Sequence, residues 1–126
     1  MAKYNILQEK SFAFAIRIVN LYKYLCDEKK EFVLSKQILR SGTSIGANTE
    51  EAIGGQSEKD FISKMNIAYK ETRETIYWLK LLNATNYISE EQFNNIHNDA
   101  EEICKILAKI IVTMKKKLNN STSFNS

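Results

Sequence analysis

Residues 54–92, GGQSEKDFISKMNIAYKETRETIYWLKLLNATNYISEEQ, hold one long helix between two legible ends. Phe61, Met65, Ala68, Thr72, Ile76 and Leu79 recur at three- and four-residue intervals, the spacing of a single helix face. Gly54-Gly55 stops the element before it, Ser57 is a natural N-cap, and the pattern runs to about Ala84. This predicts a helix over 58–84, roughly 42 Å long. Ser89-Glu90-Glu91-Gln92 then has the form of a capping box, in which the Ser hydroxyl accepts from one orphan N–H and the Gln reaches back to another. A rod of this length cannot bury its apolar face alone, so other long helices must lie against it.

The flanking segments supply them. After the capping box, Phe93, Ile96, Ala100, Ile103, Leu107, Ile110 and Met114 keep an alternating three-four spacing, predicting a helix over 90–118, with a polar, flexible tail at 119–126. Before the glycine pair, Leu34, Ile38, Ser41, Ile45, Asn48 and Ala52 face one way on a helix over 33–52. The first helix spans 9–27 and ends at the polar break Asp27 to Glu31. It carries two apolar lines. Phe12, Ile16, Val19 and Cys26, with Ala15 and Tyr22, are assigned to the core. Phe14, Ile18, Leu21 and Leu25 lie nearly opposite and are assigned to the outside. Three short connections make neighbouring helices antiparallel, so the expected fold is all-α, an up-down-up-down four-helix bundle over residues 1–118.

Composition agrees. The 126 residues include no proline and four glycines, too few for a turn-rich sandwich or barrel, and 44% hydrophobic residues suffice for one core. Eighteen Lys and Arg against fifteen Asp and Glu give a net charge of +3, mildly basic. Cys26 and Cys104 have no metal-type spacing and are expected to stay free thiols of a reducing cytoplasm. Neither an export signal nor a membrane-spanning run is read in the chain, so a cytoplasmic location is expected.

Chemistry-bearing constellations are sparse. His97, Glu101 and Cys104 share part of one helix face, but mixed ligands from a single helix make a weak metal site, and Asn94 stands where a Glu-x-x-His motif needs its Glu. Glu50, Glu51, Glu71 and Glu74 read as solvated or ion-paired carboxylates, with Arg40 level with Glu71 across the turn. Catalytic residues, metal, cofactor and small-molecule substrate are therefore expected to be none. Cations cluster at Lys10, Arg17 and Lys23 on the first helix and at Lys105, Lys109, Lys115, Lys116 and Lys117 on the last, and they are the candidate nucleic-acid contacts. Ile67, Trp78 and Leu81 share a side of the third helix away from its core stripe. Together with Phe14, Ile18, Leu21 and Leu25 they form a candidate oligomer interface.

The least regular stretch is Arg40-Ser41-Gly42-Thr43-Ser44-Ile45-Gly46-Ala47-Asn48, where two glycines and several hydroxyls sit inside a helix that disfavours them. Close approach of a neighbouring helix over Gly42 and Gly46 is the preferred reading, with a polar ligand surface as the alternative. Leu39 to Asn48 with Glu51-Ala52, then Asp60-Phe61-Ile62 and Ala68 to Leu79, resemble the four-helix bundle family encoded by intervening sequences in bacterial 23S rRNA genes. The resemblance covers nearly the whole chain, with Arg40, Ser41, Asn48, Glu51, Glu71 and Trp78 at motif positions and Thr49 in place of an expected aliphatic residue. That family is similar in fold to the accessory variability proteins of diversity-generating retroelements, pentameric barrels whose basic surface engages reverse transcriptase and RNA. The resemblance thus implies a homopentamer with a non-enzymatic role, associated with RNA, a reverse transcriptase or a ribosomal partner. The rival reading is a protein-interaction scaffold without nucleic-acid contact.

Overall fold

The computed structural model describes residues 4–125, with side chains through residue 120. Four helices follow one another, α1 (Asn5–Asp27), α2 (Leu34–Ile53), α3 (Glu58–Ala84) and α4 (Glu90–Asn125). Each packs on its predecessor, and α1 closes the ring on α4 through the thinnest of the four seams. This is an antiparallel four-helix bundle, as the connections require. The expected tail is helical through Asn125, since nothing between Leu118 and Asn125 is a glycine or proline; Ser126 lies outside the described residues.

The helix ends are made by the side chains that mark them. Ser57 Oγ accepts from the Asp60 N–H at 3.1 Å. At α4 both arms of the capping box form, Gln92 N–H to Ser89 Oγ at 3.1 Å and Ser89 N–H to Gln92 Oε1 at 2.8 Å. α1 ends with Lys30 in the left-handed region (φ 53°) and the Glu31 N–H donating to the Leu25 carbonyl at 2.9 Å, a closure usually given to glycine.

The start of α2 uses a device that the polar break concealed. Glu31 is buried, and its carboxylate accepts from the N–H groups of Val33 (3.2 Å), Leu34 (3.1 Å) and Ser35 (2.7 Å), while Ser35 Oγ donates to the Glu31 carbonyl at 2.8 Å. Burial pushes this carboxyl up, but the three backbone donors and the Ser35 hydroxyl outweigh it, and the net effect lowers its pKa. A lowered carboxylate adds stability that is present in full above the ordinary glutamate value of about 4.3 and disappears as pH falls through the folded value. Glu31→Ala is expected to cost about 1–2 kcal/mol in urea unfolding at neutral pH. The loss should shrink at acid pH, and a pH-independent loss would assign Glu31 a packing role only.

Two inward assignments change. The buried line of α1 is Leu7, Ser11, Phe14, Ile18, Leu21 and Leu25, so Phe14 (1% exposed), Ile18 (0%), Leu21 and Leu25 form core and cannot serve as an outer interface. The line expected inside is the outer one, with Phe12 69% and Ile16 49% exposed. The physical reason lies on α2. An added Cβ at Gly42 would stand 2.8 Å from both Ile18 Cγ1 and Cγ2, so the bare backbone there receives Ile18 and draws that side of α1 inward. On α2 itself Thr49, not Asn48, is buried, its hydroxyl donating to the Ile45 carbonyl at 2.9 Å. The core stripe of α3 is as its periodicity predicts, with Phe61, Met65, Ala68, Thr72, Ile76 and Leu79 all buried.

Candidate functional site

The irregular stretch of α2 turns its polar groups back on its own helix. Thr43 donates to the Leu39 carbonyl (2.7 Å), Ser44 to that of Arg40 (2.6 Å) and Asn48 to that of Ser44 (2.8 Å), which occupies these donors locally. Buried Ser41 is joined to Thr75 of α3 by a hydroxyl–hydroxyl hydrogen bond of 2.9 Å, a polar tie across the α2–α3 seam. Gly46 lies over Ser11 of α1, where an added Cβ would meet ordinary contacts at 3.5 Å. The two glycines therefore bring α1 and α2 together.

Beside this seam sits a polar cluster. Arg40 donates to Glu71 (3.1 Å) and pairs with Glu74, and Glu74 also accepts from the Trp78 indole N–H at 3.0 Å. The Trp78 hydrogen bond, opposed by burial and helped by Arg40, holds the Glu74 carboxyl below its usual range; the hydrogen bond to Glu74, again against burial, raises Arg40. The expected Arg40–Glu71 pairing is thus present. Arg40 is half exposed, so the cluster contributes at most about 1 kcal/mol to stability. It fixes Trp78 half-buried against the core, next to half-buried Leu81, while Ile67 remains exposed. Glu51, at the end of α2, pairs with Lys64 at 3.1 Å.

The candidate cations divide into two groups. Lys10 pairs with Glu102, and the hydrogen bond to that carboxylate raises the Lys10 pKa. Arg17 pairs with Asp99 and donates to Asn95 Oδ1 at 3.0 Å, and Lys117 pairs with Glu58 at 3.0 Å. Lys10 and Arg17 thereby bridge the thin α1–α4 seam, and their charge is largely answered within the chain. Lys23, Lys105, Lys109, Lys115 and Lys116 are exposed and make no ion pair among the described residues. Lys105, Lys109 and Lys116, at intervals of four and seven, share one face of α4.

Among the described residues no three His, Cys, Asp or Glu side chains are placed to hold a metal ion. His97 stacks on Phe93 (4.7 Å between centroids), with Nε2 3.3 Å from Glu101. Both cysteines are free, and burial raises the Cys104 thiol pKa, which disfavours a reactive thiolate. Among the described residues no helix is long and apolar enough to cross a membrane. The Glu31 cap had no sequence reading; its only signal was an acidic residue four positions before Ser35.

Comparison with known proteins agrees with this geometry. No curated protein matches the chain. A crystal structure of a protein with unknown function from the S23 ribosomal protein family of Bacteroides thetaiotaomicron is 61% identical, with a TM-score of 0.85, covering 86% of this chain and 97% of that one. Residues 3–109 match the 23S rRNA-intervening sequence proteins, a span that takes in the glycine stretch of α2, the Arg40 cluster and α4 as far as Lys109. The bundle, its motif and its matching relatives together make this chain a member of the 23S rRNA-intervening sequence protein family.

Proposed function

We propose that this protein is a non-enzymatic, cytoplasmic, homo-oligomeric bundle that associates with RNA or a ribonucleoprotein through its free lysines. The supporting observation is the division of the cations: Lys105, Lys109, Lys115 and Lys116 stay exposed and without ion pairs among the described residues, while Lys10, Arg17 and Lys117 are neutralised inside the chain. Uncompensated lysines on one helix favour a polyanion, whose binding releases counterions. Self-association is supported by Phe12 and Ile16, both exposed on α1, and by an apolar trough of about 290 Å³ on the outside of α1 and α2 that Phe12 borders with Ala15, Gly46 and Ala47. Five chains is the stoichiometry expected from the resemblance to pentameric barrels, and a ring would multiply each basic surface.

Light scattering behind size exclusion, at low and high salt and with a bacterial rRNA fragment, tests the reading. A species of about five chains that takes up RNA at low salt and releases it at high salt is the expected result. An oligomer indifferent to RNA would favour a protein partner, and a monomer would remove the role given to Phe12 and Ile16.

A further inference from the structure

Apart from the side that carries Ile67, Trp78 and Leu81, the outer surface of α3 holds a regular series. Lys70, Arg73, Tyr77 and Lys80 follow at three- and four-residue intervals, so they share one face, and all four are exposed. The carboxylates of mid-α3, Glu71 and Glu74, are drawn to the α2 side by Arg40 and do not neutralise this face.

The register of the seam brings a second series alongside. The Lys117–Glu58 bridge sets which residues are level, because a step forward on α3 matches a step back on α4. Lys70 is then level with Lys105, Asn66 with Lys109 and Lys59 with Lys116. Glu101, on α4, lies against His97, with Nε2 and Oε1 3.3 Å apart. The result is a two-helix face, about 32 Å long from Lys59 to Lys80, with cations on both edges.

Among these charges stands one large exposed ring. Tyr77 is 58% exposed and is braced edge-on by Trp78 (centroids 5.2 Å apart, interplanar angle 70°), which the Glu74 hydrogen bond in turn immobilises. A fixed aromatic face between phosphate-binding cations is what single strands use, because a base free of pairing can stack while its backbone follows the charge. A duplex keeps its bases covered and has no use for Tyr77.

We infer that the outer face of the α3–α4 pair binds a single strand of RNA, with Lys70, Lys80, Lys105 and Lys109 on its phosphates and Tyr77 stacked on a base. This rests on the RNA-associated reading above and joins the outer face of α3 to the α4 lysines named there. Fluorescence anisotropy with a short labelled single-stranded RNA of mixed sequence, across a salt series, tests it in the intact protein. Lys70→Gln/Lys80→Gln and Lys105→Gln/Lys109→Gln should each reduce the slope of log K against log salt by about 1.4, from about 0.7 per phosphate contact. Tyr77→Ala should weaken binding about tenfold and leave the slope unchanged. Lys29→Gln/Lys36→Gln, in the turn after α1 and on α2, should change neither. An equal loss in that control pair, or wild-type affinity in both α3 and α4 pairs, would overturn the α3–α4 site while leaving RNA association standing. Unchanged binding by Tyr77→Ala, or a duplex RNA bound as tightly, would overturn single-strand recognition. Absence of any wild-type binding at low salt would overturn the RNA-associated reading together with the site.

Discussion

Phe14→Ala is expected to lower the unfolding free energy by about 3–5 kcal/mol, the cost of emptying a large, fully buried ring position. Phe12, two residues earlier in the same helix, should behave in the opposite way. With 69% of its surface exposed it contributes little inside the chain, so Phe12→Ser should change the stability of a single folded chain by no more than about 0.5 kcal/mol. Its effect should show in association, because the substitution places a hydroxyl at the edge of the apolar trough between α1 and α2. Urea unfolding and light scattering on the two variants separate these roles. A reversed pattern, with Phe12→Ser destabilising and Phe14→Ala neutral, would turn α1 around and overturn the packing described above.

The second large effect concerns the contact that sets this orientation. Ile18→Ala is expected to cost about 2–5 kcal/mol. Gly42→Ala is expected to cost about 1–2 kcal/mol, since its methyl would stand 2.8 Å from two carbons of buried Ile18, and that overpacking exceeds the helix propensity gained. In the double variant the added methyl meets space rather than carbon, so the combined loss should fall short of the sum by about 1 kcal/mol or more. Gly46→Ala is the internal comparison. Its Cβ would meet Ser11 at an ordinary 3.5 Å, so the propensity gain should prevail and the variant should be as stable as the wild type or up to about 1 kcal/mol more so. Chemical denaturation of the four variants checks all of this, and strict additivity of Ile18→Ala and Gly42→Ala would show that the two residues do not meet.

These contacts mark how far the chain could be read without its structure. The stripe of α3 from Phe61 to Leu79, the Ser57 cap and the Ser89–Gln92 capping box are local patterns, each complete within a turn or two, and each is present as expected. Even the Arg40–Glu71 pair was accessible, because one short turn relates the two positions. The first helix shows where such reading stops. Its two apolar lines are similar in bulk, and Phe12, Ile16 and Val19 are the more conspicuous. The buried line is distinguished by continuity, running from Leu7 to Leu25 with Ser11 its one polar member, whereas Lys23 interrupts the other.

The candidate site was legible in part for the same reason. Lysines on α4 can be counted from the sequence, but whether a cation is free or answered depends on carboxylates far along the chain: Glu102 for Lys10, Asp99 for Arg17, Glu58 for Lys117. The basic face of α3 was hidden because Glu71 and Glu74 dilute its charge in sequence, and it is Arg40, on another helix, together with Trp78 that draws them aside. Helix number, helix ends, antiparallel order and the core of α3 thus follow from the residues alone, since periodicity and capping are short-range. The face α1 turns inward, the choice of Thr49 over Asn48 and the division of paired from free cations were decided by tertiary packing, because each depends on a surface that another helix supplies.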